Sequence, residues 1–205
     1  MNFGIKNPRS VRQRTPGMVS VPVNGDGPAL PALRGLNRLK DLKPTIVIDT
    51  REQTPLVFRN MRSVRATLQS ADYSVAGLEN SFSVERKSIS DLVSCVIGDN
   101  RERFERELHR LRGFQFARLL IVGREEEIDN HNYRSNIDPK VILHTLRAFE
   151  VRYVPVVWAE SPAKAAELIE SWAFWYSREI VNAANDLLRG CEEFSRQTAE
   201  TEGVA

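Results

Sequence analysis

The sequence predicts an α/β fold in which helices flank a mixed central sheet. Short runs rich in β-branched and aromatic residues alternate with longer amphipathic segments along the chain. One run, "ARLLIVG", is continuously apolar, as is typical of a strand in the middle of a sheet. Two other runs, "YSVAGL" and "SFSVERK", are separated only by the turn-like "ENS", which favours a hairpin. We therefore expect one layered domain.

The first elements follow from these patterns. A buried strand is predicted at "TIVID", followed by the polar turn "TREQTP". A helix is predicted over "NMRSVRATLQSA", because Met61, Val64 and Leu68 fall at i, i+3 and i+7. The two hairpin strands come next, and Ser88, with Asp91 three residues later, resembles a capping box. A helix through "ISDLVSCVI" is therefore expected to begin there.

The second half of the chain alternates helix and strand. "DNRERFERELHRLRG" predicts a helix that ends at Gly113, and "ARLLIVG" follows as a strand. Asp138 as N-cap and Pro139 at the first helical position begin the helix "DPKVILHTLRAFEVR". The strand "YVPVVWA" precedes a long helix from Pro162 to about Leu188. The closing "RQTAETEGVA" is expected to lack regular structure.

Charge and composition divide the chain into three parts. Residues 1–43 contain eight Lys and Arg against two Asp, and they are rich in Pro and Gly, which predicts a basic, disordered N-terminal arm. Such an arm binds nucleic acid or is only a solubilising tail, and the sequence leaves both open. Residues 44–189 form the predicted domain and residues 190–205 a disordered tail.

Composition also bounds the environment of the protein. No apolar run approaches the ~20 residues that span a bilayer, so no membrane partner is expected. The two cysteines, Cys95 and Cys191, lie far apart and show no metal-ligand spacing. We therefore expect a soluble protein in a reducing, intracellular compartment.

The strand "SFSVERK" carries the residues of greatest chemical interest. With a period of two, Glu85 and Lys87 project to the same face at the end of the strand. A carboxylate beside an ammonium can hold a hard divalent cation and orient an attacking water, which phosphodiester cleavage requires. The alternative is an ordinary solvated edge strand.

Further acids precede this strand. Asp72 begins the other hairpin strand, so pairing of the two strands would bring Asp72 and Glu85 to the same end. Asp49 ends the first strand, with Glu52 close behind. Mg²⁺ commonly takes one or two protein carboxylates, so these acids and Lys87 form a candidate metal-dependent nuclease centre.

Three motifs together resemble the XPF-type nuclease family. They are "VIDTRE", "ADYSV" and "VERKSISDL", similar to the family signature V-D-x-R-E, G-D-Y and E-R-K-x-x-x-D. The similarity covers roughly Pro44 to Leu188 and implies a restriction-endonuclease-like core of the PD-(D/E)xK type that cuts branched DNA with Mg²⁺ or Mn²⁺. Ala71 stands where the family usually has glycine, a difference that affects backbone freedom and not ligand chemistry.

The resemblance also implies roles for individual residues. Asp72 and Glu85 correspond to metal ligands, with the backbone carbonyl of Arg86 as a further ligand and Asp49 as an additional metal-site acid. Lys87 corresponds to the lysine that positions water or stabilises the transition state. Arg51 and Glu52 correspond to residues that order the site or contact phosphate, and Asp91 corresponds to a residue that supports the site.

Structural explanations compete with several of these roles. Asp91 can serve only the Ser88 cap. Arg86 shares a face with Phe82 and Val84 and can be a structural partner of an acid such as Glu52. Asp49 can be a turn residue.

The predicted function is a metal-dependent endodeoxyribonuclease acting on a flap, fork or junction in repair or recombination. The alternative is a non-catalytic nuclease-like module that binds DNA or acts as a scaffold. The family pairs through the C-terminal part of its domain, where the aromatic residues Trp158, Trp172, Phe174 and Trp175 lie. They predict core packing or a homodimer face. A compact nuclease of this kind suits a bacterium or a phage, in the cytoplasm or associated with the nucleoid.

Overall fold

A computed structural model describes residues 43–202, with side chains to residue 194. The predicted basic arm, except for its last residue, lies outside the described residues, as do the last three residues of the chain. Binding of nucleic acid by that arm therefore stays a prediction.

Six strands form one mixed sheet in the order β2-β1-β3-β4-β5-β6. The antiparallel pairs β1–β3 and β3–β4 lie between the parallel pairs β1–β2, β4–β5 and β5–β6. The strand bounds are Ile46–Asp49 (β1), Ser63–Ala66 (β2), Tyr73–Val75 (β3), Phe82–Ser88 (β4), Phe116–Val122 (β5) and Val156–Ala159 (β6). The predicted α/β class and mixed sheet are confirmed, and "ARLLIVG" forms an internal strand as expected.

Within the described part of the chain, five helices flank this sheet. Their bounds are Ile89–Ser94 (α1), Gly98–Leu111 (α2), Glu125–Asp129 (α3), Pro139–Arg152 (α4) and Pro162–Glu202 (α5). Asp138 caps α4 by accepting a hydrogen bond from the Lys140 amide at 2.8 Å, and Pro139 occupies the first turn, both as predicted. Within residues 43–202, none of the helices is long and apolar enough to cross a membrane.

Three of the predicted elements are wrong in type or length. The segment predicted as a helix over "NMRSVRATLQSA" instead contains the edge strand β2, which pairs in parallel with β1. Its helix-like spacing was coincidental, because Val64 remains 48% exposed. The helix after Ser88 ends at Ser94, short of Ile97, whereas α5 continues beyond Leu188 to Glu202. The extended α5 includes residues for which the sequence predicts no regular structure.

The core is divided between the two faces of the sheet. Apolar side chains of α1, α2 and α4 pack on one face, and those of α5 pack on the other. On β4, Phe82 and Val84 belong to the α5 side. Because side chains alternate along a strand, Glu85 and Lys87 project toward the face that α1 and α2 cover.

The C-terminal aromatic residues divide between core and surface. Trp172 packs against Phe116, with ring centroids 5.8 Å apart, and Trp158 packs against the core on the other face. Trp175, by contrast, is 56% exposed. Core packing is therefore confirmed for Trp158 and Trp172, and Trp175 remains available at the surface.

Candidate active site

The β3–β4 hairpin brings Asp72 to the end of β4. Tyr73 pairs with Val84, and the Asp72 amide donates to the Val84 carbonyl at 3.2 Å. Asp72 Oδ2 in turn accepts a hydrogen bond from the Arg86 amide at 2.9 Å, which fixes the carboxylate beside Glu85. The predicted convergence of Asp72 and Glu85 at one end of the hairpin is thus present.

Glu85 is almost fully buried, with 1% of its surface exposed. Its Oε1 accepts a hydrogen bond from the Lys87 ammonium, with which it forms an ion pair. Its Oε2 is buried and has no hydrogen-bond partner among the residues described. An unpaired buried carboxylate oxygen is costly, so this atom is a strong indication that a ligand completes the site.

Electrostatic interactions couple the three groups. Burial raises the pKa of Asp72 to about 6, against the smaller opposing effects of the Arg86 amide and the Lys87 charge. Burial and the charge of Asp72 raise the pKa of Glu85. Burial lowers the pKa of Lys87, but the charge and hydrogen bond of Glu85 outweigh it and the net direction is upward. Two buried acids therefore share one ammonium, and a cation would relieve their repulsion.

This donor set fits a hard divalent cation. Asp72 and Glu85 supply carboxylate oxygens, and Glu85 Oε2 has no other partner among the described residues. The Arg86 amide donates to Asp72. A residue in a strand directs its N–H and its C=O toward the same edge of that strand, so the Arg86 carbonyl also faces the edge where Asp72 lies. No three His, Cys, Asp or Glu between residues 43 and 194 are arranged to hold a metal alone. Mg²⁺ typically uses one or two carboxylates and takes its other ligands from water and phosphate.

Asp49 has a structural environment. Its carboxylate accepts hydrogen bonds from the Arg51 amide (2.8 Å), Arg51 Nε (2.7 Å) and Nη2 (3.2 Å), and the Leu68 amide (2.7 Å). Burial raises its pKa, but these hydrogen bonds outweigh burial and the net direction is downward. Asp49 thus joins the end of β1 to the segment after β2, as the turn interpretation expects. Its role as a metal ligand stays a prediction.

Glu52 and Arg86 form a two-pronged ion pair. Arg86 Nε and Nη2 donate to the two Glu52 oxygens at 3.1 and 3.0 Å, and the Thr54 amide donates to Glu52 at 2.8 Å. Burial raises the pKa of Glu52, but the hydrogen bonds from Arg86 and Thr54 and the charge of Arg86 together outweigh burial, so the net pKa is lowered. The sequence left open that Arg86 is a structural partner of an acid such as Glu52, and this ion pair is that partnership. Arg51, 67% exposed at its side chain, leaves part of its guanidinium toward solvent.

Asp91 caps α1 together with Ser88. The Ser88 hydroxyl donates to Asp91 Oδ2 at 2.7 Å, while the Asp91 amide donates to the Ser88 oxygen at 3.2 Å. The predicted cap is confirmed, and a supporting role of Asp91 in the site stays a prediction.

Three residues around the site were not among the site residues predicted from the sequence. Phe104 on α2 lies beneath Lys87, with 4.9 Å between the ammonium nitrogen and the ring centroid. Glu107, one turn along α2, contributes to the electrostatics of Asp72, Glu85 and Lys87. The only available signal for Glu107 was its position three residues after a predicted core residue of an amphipathic helix.

The third residue, Ala71, has a backbone φ of +63° and is 4% exposed. Positive φ is unfavourable for residues with a side chain, which explains physically why glycine suits the position before Asp72. Alanine in place of the family's usual glycine therefore puts a residue with an unfavourable backbone conformation next to Asp72.

Comparison with known proteins identifies the family. Residues 48–171 match the ERCC4 domain. The XPF protein from Aeropyrum pernix shares the fold with a TM-score of 0.52 at 21% identity, and the match covers 63% of this chain and 60% of that chain. In its complex with DNA, the same protein matches with a TM-score of 0.52 at 20% identity, covering 67% of this chain and 66% of that one.

No curated protein matches the chain. The ERCC4 match nevertheless spans more than half of the 205 residues, and it includes the three motifs from β1 to α1 except for Val47, the first residue of the first motif. The mixed sheet agrees with the XPF nuclease fold. The resemblance found in the sequence is therefore confirmed, and the chain belongs to the ERCC4 domain family, the family of the XPF-type nucleases.

Proposed function

We propose that the protein is a metal-dependent DNA endonuclease that hydrolyses a phosphodiester bond in branched DNA during repair or recombination. One observation carries the proposal: the buried Glu85 carboxylate, with its unpartnered Oε2, lies beside Asp72 and Lys87. A protein that uses this fold only to bind has no need of such a costly arrangement.

Asp72, Glu85 and the Arg86 carbonyl would hold Mg²⁺ or Mn²⁺. When bound, the cation supplies a Lewis acid for the negative charge that develops on the phosphate. The Arg86 amide keeps the Asp72 carboxylate in place, and the Glu52 ion pair fixes the Arg86 side chain on the other face of β4. The ligand-bearing strand is therefore anchored at its edge by Asp72 and on the face opposite Glu85 by Glu52.

Lys87 acts as a hydrogen-bond donor and not as a base. Because its net pKa is raised, the ammonium stays protonated at neutral pH. Glu85 and the Phe104 ring hold it in one position. In that position it orients the attacking water or stabilises charge on a phosphoryl oxygen. The exposed part of the Arg51 guanidinium would contact a neighbouring phosphate.

DNA as the substrate is supported by the family and by the Aeropyrum pernix protein, whose structure is known in complex with DNA. Membership of the XPF-type family supports branched DNA as the preferred form of the substrate. A cytoplasmic or nucleoid-associated location, in a bacterium or encoded by a phage, completes this proposal.

A homodimer through α5 is the proposed assembly. Trp175, Ile180 and Leu187 on this helix are 56%, 37% and 69% exposed, and exposed apolar side chains are one feature of protein–protein contact surfaces. Sedimentation of the full chain should therefore give twice the monomer mass, and Leu187→Asp should shift it toward the monomer. A monomeric wild type would contradict the assembly without affecting the active site.

A cleavage assay tests the proposed activity. The full chain is incubated with flap, fork, junction, nicked and single-stranded DNA in Mg²⁺ or Mn²⁺, with a chelator as the metal-free condition. Wild type should cut a branched substrate, whereas Glu85→Ala and Lys87→Ala should lose cleavage while remaining folded. Glu126→Ala, which changes an exposed glutamate, is the matched control and should retain cleavage.

The alternative is a non-catalytic module that binds DNA or acts as a scaffold. Wild-type binding to the same DNAs without cleavage, unchanged by metal and by Glu85→Ala, would favour it. Absence of both cleavage and metal-dependent binding on the whole panel would contradict the proposed endonuclease.

A further inference from the structure

Helix α2 places a carboxylate beside the candidate active site. Its buried stripe includes Phe104, Leu108 and Leu111, which pack on the face of the sheet to which Glu85 and Lys87 project. Phe104 lies directly under the Lys87 ammonium, 4.9 Å from it. Glu107 is three residues after Phe104, and on a helix that spacing places the two side chains as neighbours. Glu107 therefore lies at the border between the buried stripe and the site.

The Glu107 side chain has a distinctive position among the glutamates of α2. Glu105 pairs with Arg101 at 3.0 Å, and Glu102 lies 3.8 Å from Arg106. Glu107, half-buried, makes no side-chain hydrogen bond or ion pair with any residue that the structure describes. A half-buried carboxylate without a fixed partner remains available to a ligand.

The charge of Glu107 reaches the residues of the site. The Glu107 carboxylate interacts electrostatically with Asp72 and Glu85. It also interacts with the Lys87 ammonium, which pairs with Glu85. Three acids and one lysine therefore act on one another, an arrangement that a divalent cation stabilises.

We propose that Glu107 is a third acidic residue of the metal centre, a role that rests on the proposed function. The unpartnered, buried Glu85 Oε2 independently indicates that a cation completes the site. Because no three acids between residues 43 and 194 are placed to ligate one ion together, Glu107 acts from outside the inner pair, through its charge and intervening water. Helix α2 thereby contributes to metal affinity as well as to the core.

Metal binding without substrate tests this role. Mn²⁺ binding to the full chain is measured by calorimetry for wild type, Glu107→Gln and Glu102→Gln. Glu102 is the matched control, since it is 78% exposed on the same helix and adjoins Arg106. Loss of an outer carboxylate typically costs about 10- to 100-fold in metal affinity, so Glu107→Gln should bind Mn²⁺ at least ~10-fold more weakly. Glu102→Gln should bind like wild type.

A second variant separates charge from packing. Glu107→Asp keeps the carboxylate and should bind Mn²⁺ more tightly than Glu107→Gln, with circular dichroism checking the fold of each variant. If Glu107→Gln binds Mn²⁺ as tightly as wild type, the role of Glu107 is refuted and the proposed nuclease centre stands. If wild type itself binds no Mn²⁺, both the role of Glu107 and the proposed centre are refuted.

Discussion

Removal of one partner of the Glu52–Arg86 ion pair is predicted to destabilise the fold strongly. Glu52 is 7% exposed, and the Arg86 side chain is 13% exposed. Arg86→Met removes both charged hydrogen bonds and leaves the Glu52 carboxylate buried without its partner. Removing one member of a buried ion pair costs about 3–5 kcal/mol, a large fraction of the ~5–15 kcal/mol that stabilises a typical domain.

The assay is urea unfolding followed by circular dichroism at pH 7 with chelator present. Arg124→Met is the matched control, because Arg124 pairs with Glu160 at 3.1 Å but both side chains are more than half exposed. An exposed pair contributes about 0–1 kcal/mol, so the control should lose little. The double variant Glu52→Leu/Arg86→Met should be more stable than Arg86→Met alone, because it removes the unpaired charge.

The effect should also depend on pH. The folded-state pKa of Glu52 is lowered because the hydrogen bonds and charge of Arg86, with the Thr54 hydrogen bonds, together outweigh burial, so its stabilising contribution is present above its ordinary pKa of 4.5. That contribution is lost as pH falls through the lower folded-state pKa. The difference between wild type and Arg86→Met should therefore shrink in acid. A loss below ~1 kcal/mol at pH 7, equal to that of Arg124→Met, would refute the reasoning.

Three further predictions concern other parts of the fold. Burial raises the folded pKa of Asp72 to about 6 from 3.8, so in metal-free protein the free energy of unfolding should fall as pH rises from about 4 to 6. Asp72→Asn should remove that part of the pH dependence in urea titrations. Identical profiles for the two proteins would contradict this. Gly123→Ala should destabilise the fold by about 1–3 kcal/mol in thermal unfolding, since φ at Gly123 is +145° and an added Cβ would lie 2.4 Å from Ile89 Cδ1. An unchanged unfolding midpoint would show that this position does not require glycine. Glu170→Ala should lower the free energy of unfolding in urea by about 1–3 kcal/mol. The Asn60 and Met61 amides, which donate to Glu170 at 2.8 and 3.1 Å, would lose their acceptor. A neutral effect would show that water replaces the carboxylate.

The sequence determined most of the elements that carry the site. Period-two alternation on β4 placed Glu85 and Lys87 on one face, and the short turn before it predicted the hairpin that brings in Asp72. Local signals such as the Ser88 cap and the Asp138–Pro139 helix start were sufficient because their hydrogen bonds are made within a few residues.

Contacts between distant segments were decided by the tertiary structure. The segment around Val64 is a strand because β1 offers it an edge to pair with, and such pairing overrides a helix-like spacing. The Arg86 side chain forms an ion pair with Glu52, which lies 34 positions earlier in the chain. Glu107 interacts with Lys87 only because α2 packs over the face of β4 to which Glu85 and Lys87 project. Sequence periodicity reports which face a residue occupies, whereas which charges meet across that face depends on how the elements pack. Glu85 could thus be identified from the sequence, but its unpaired oxygen is a property of the fold alone.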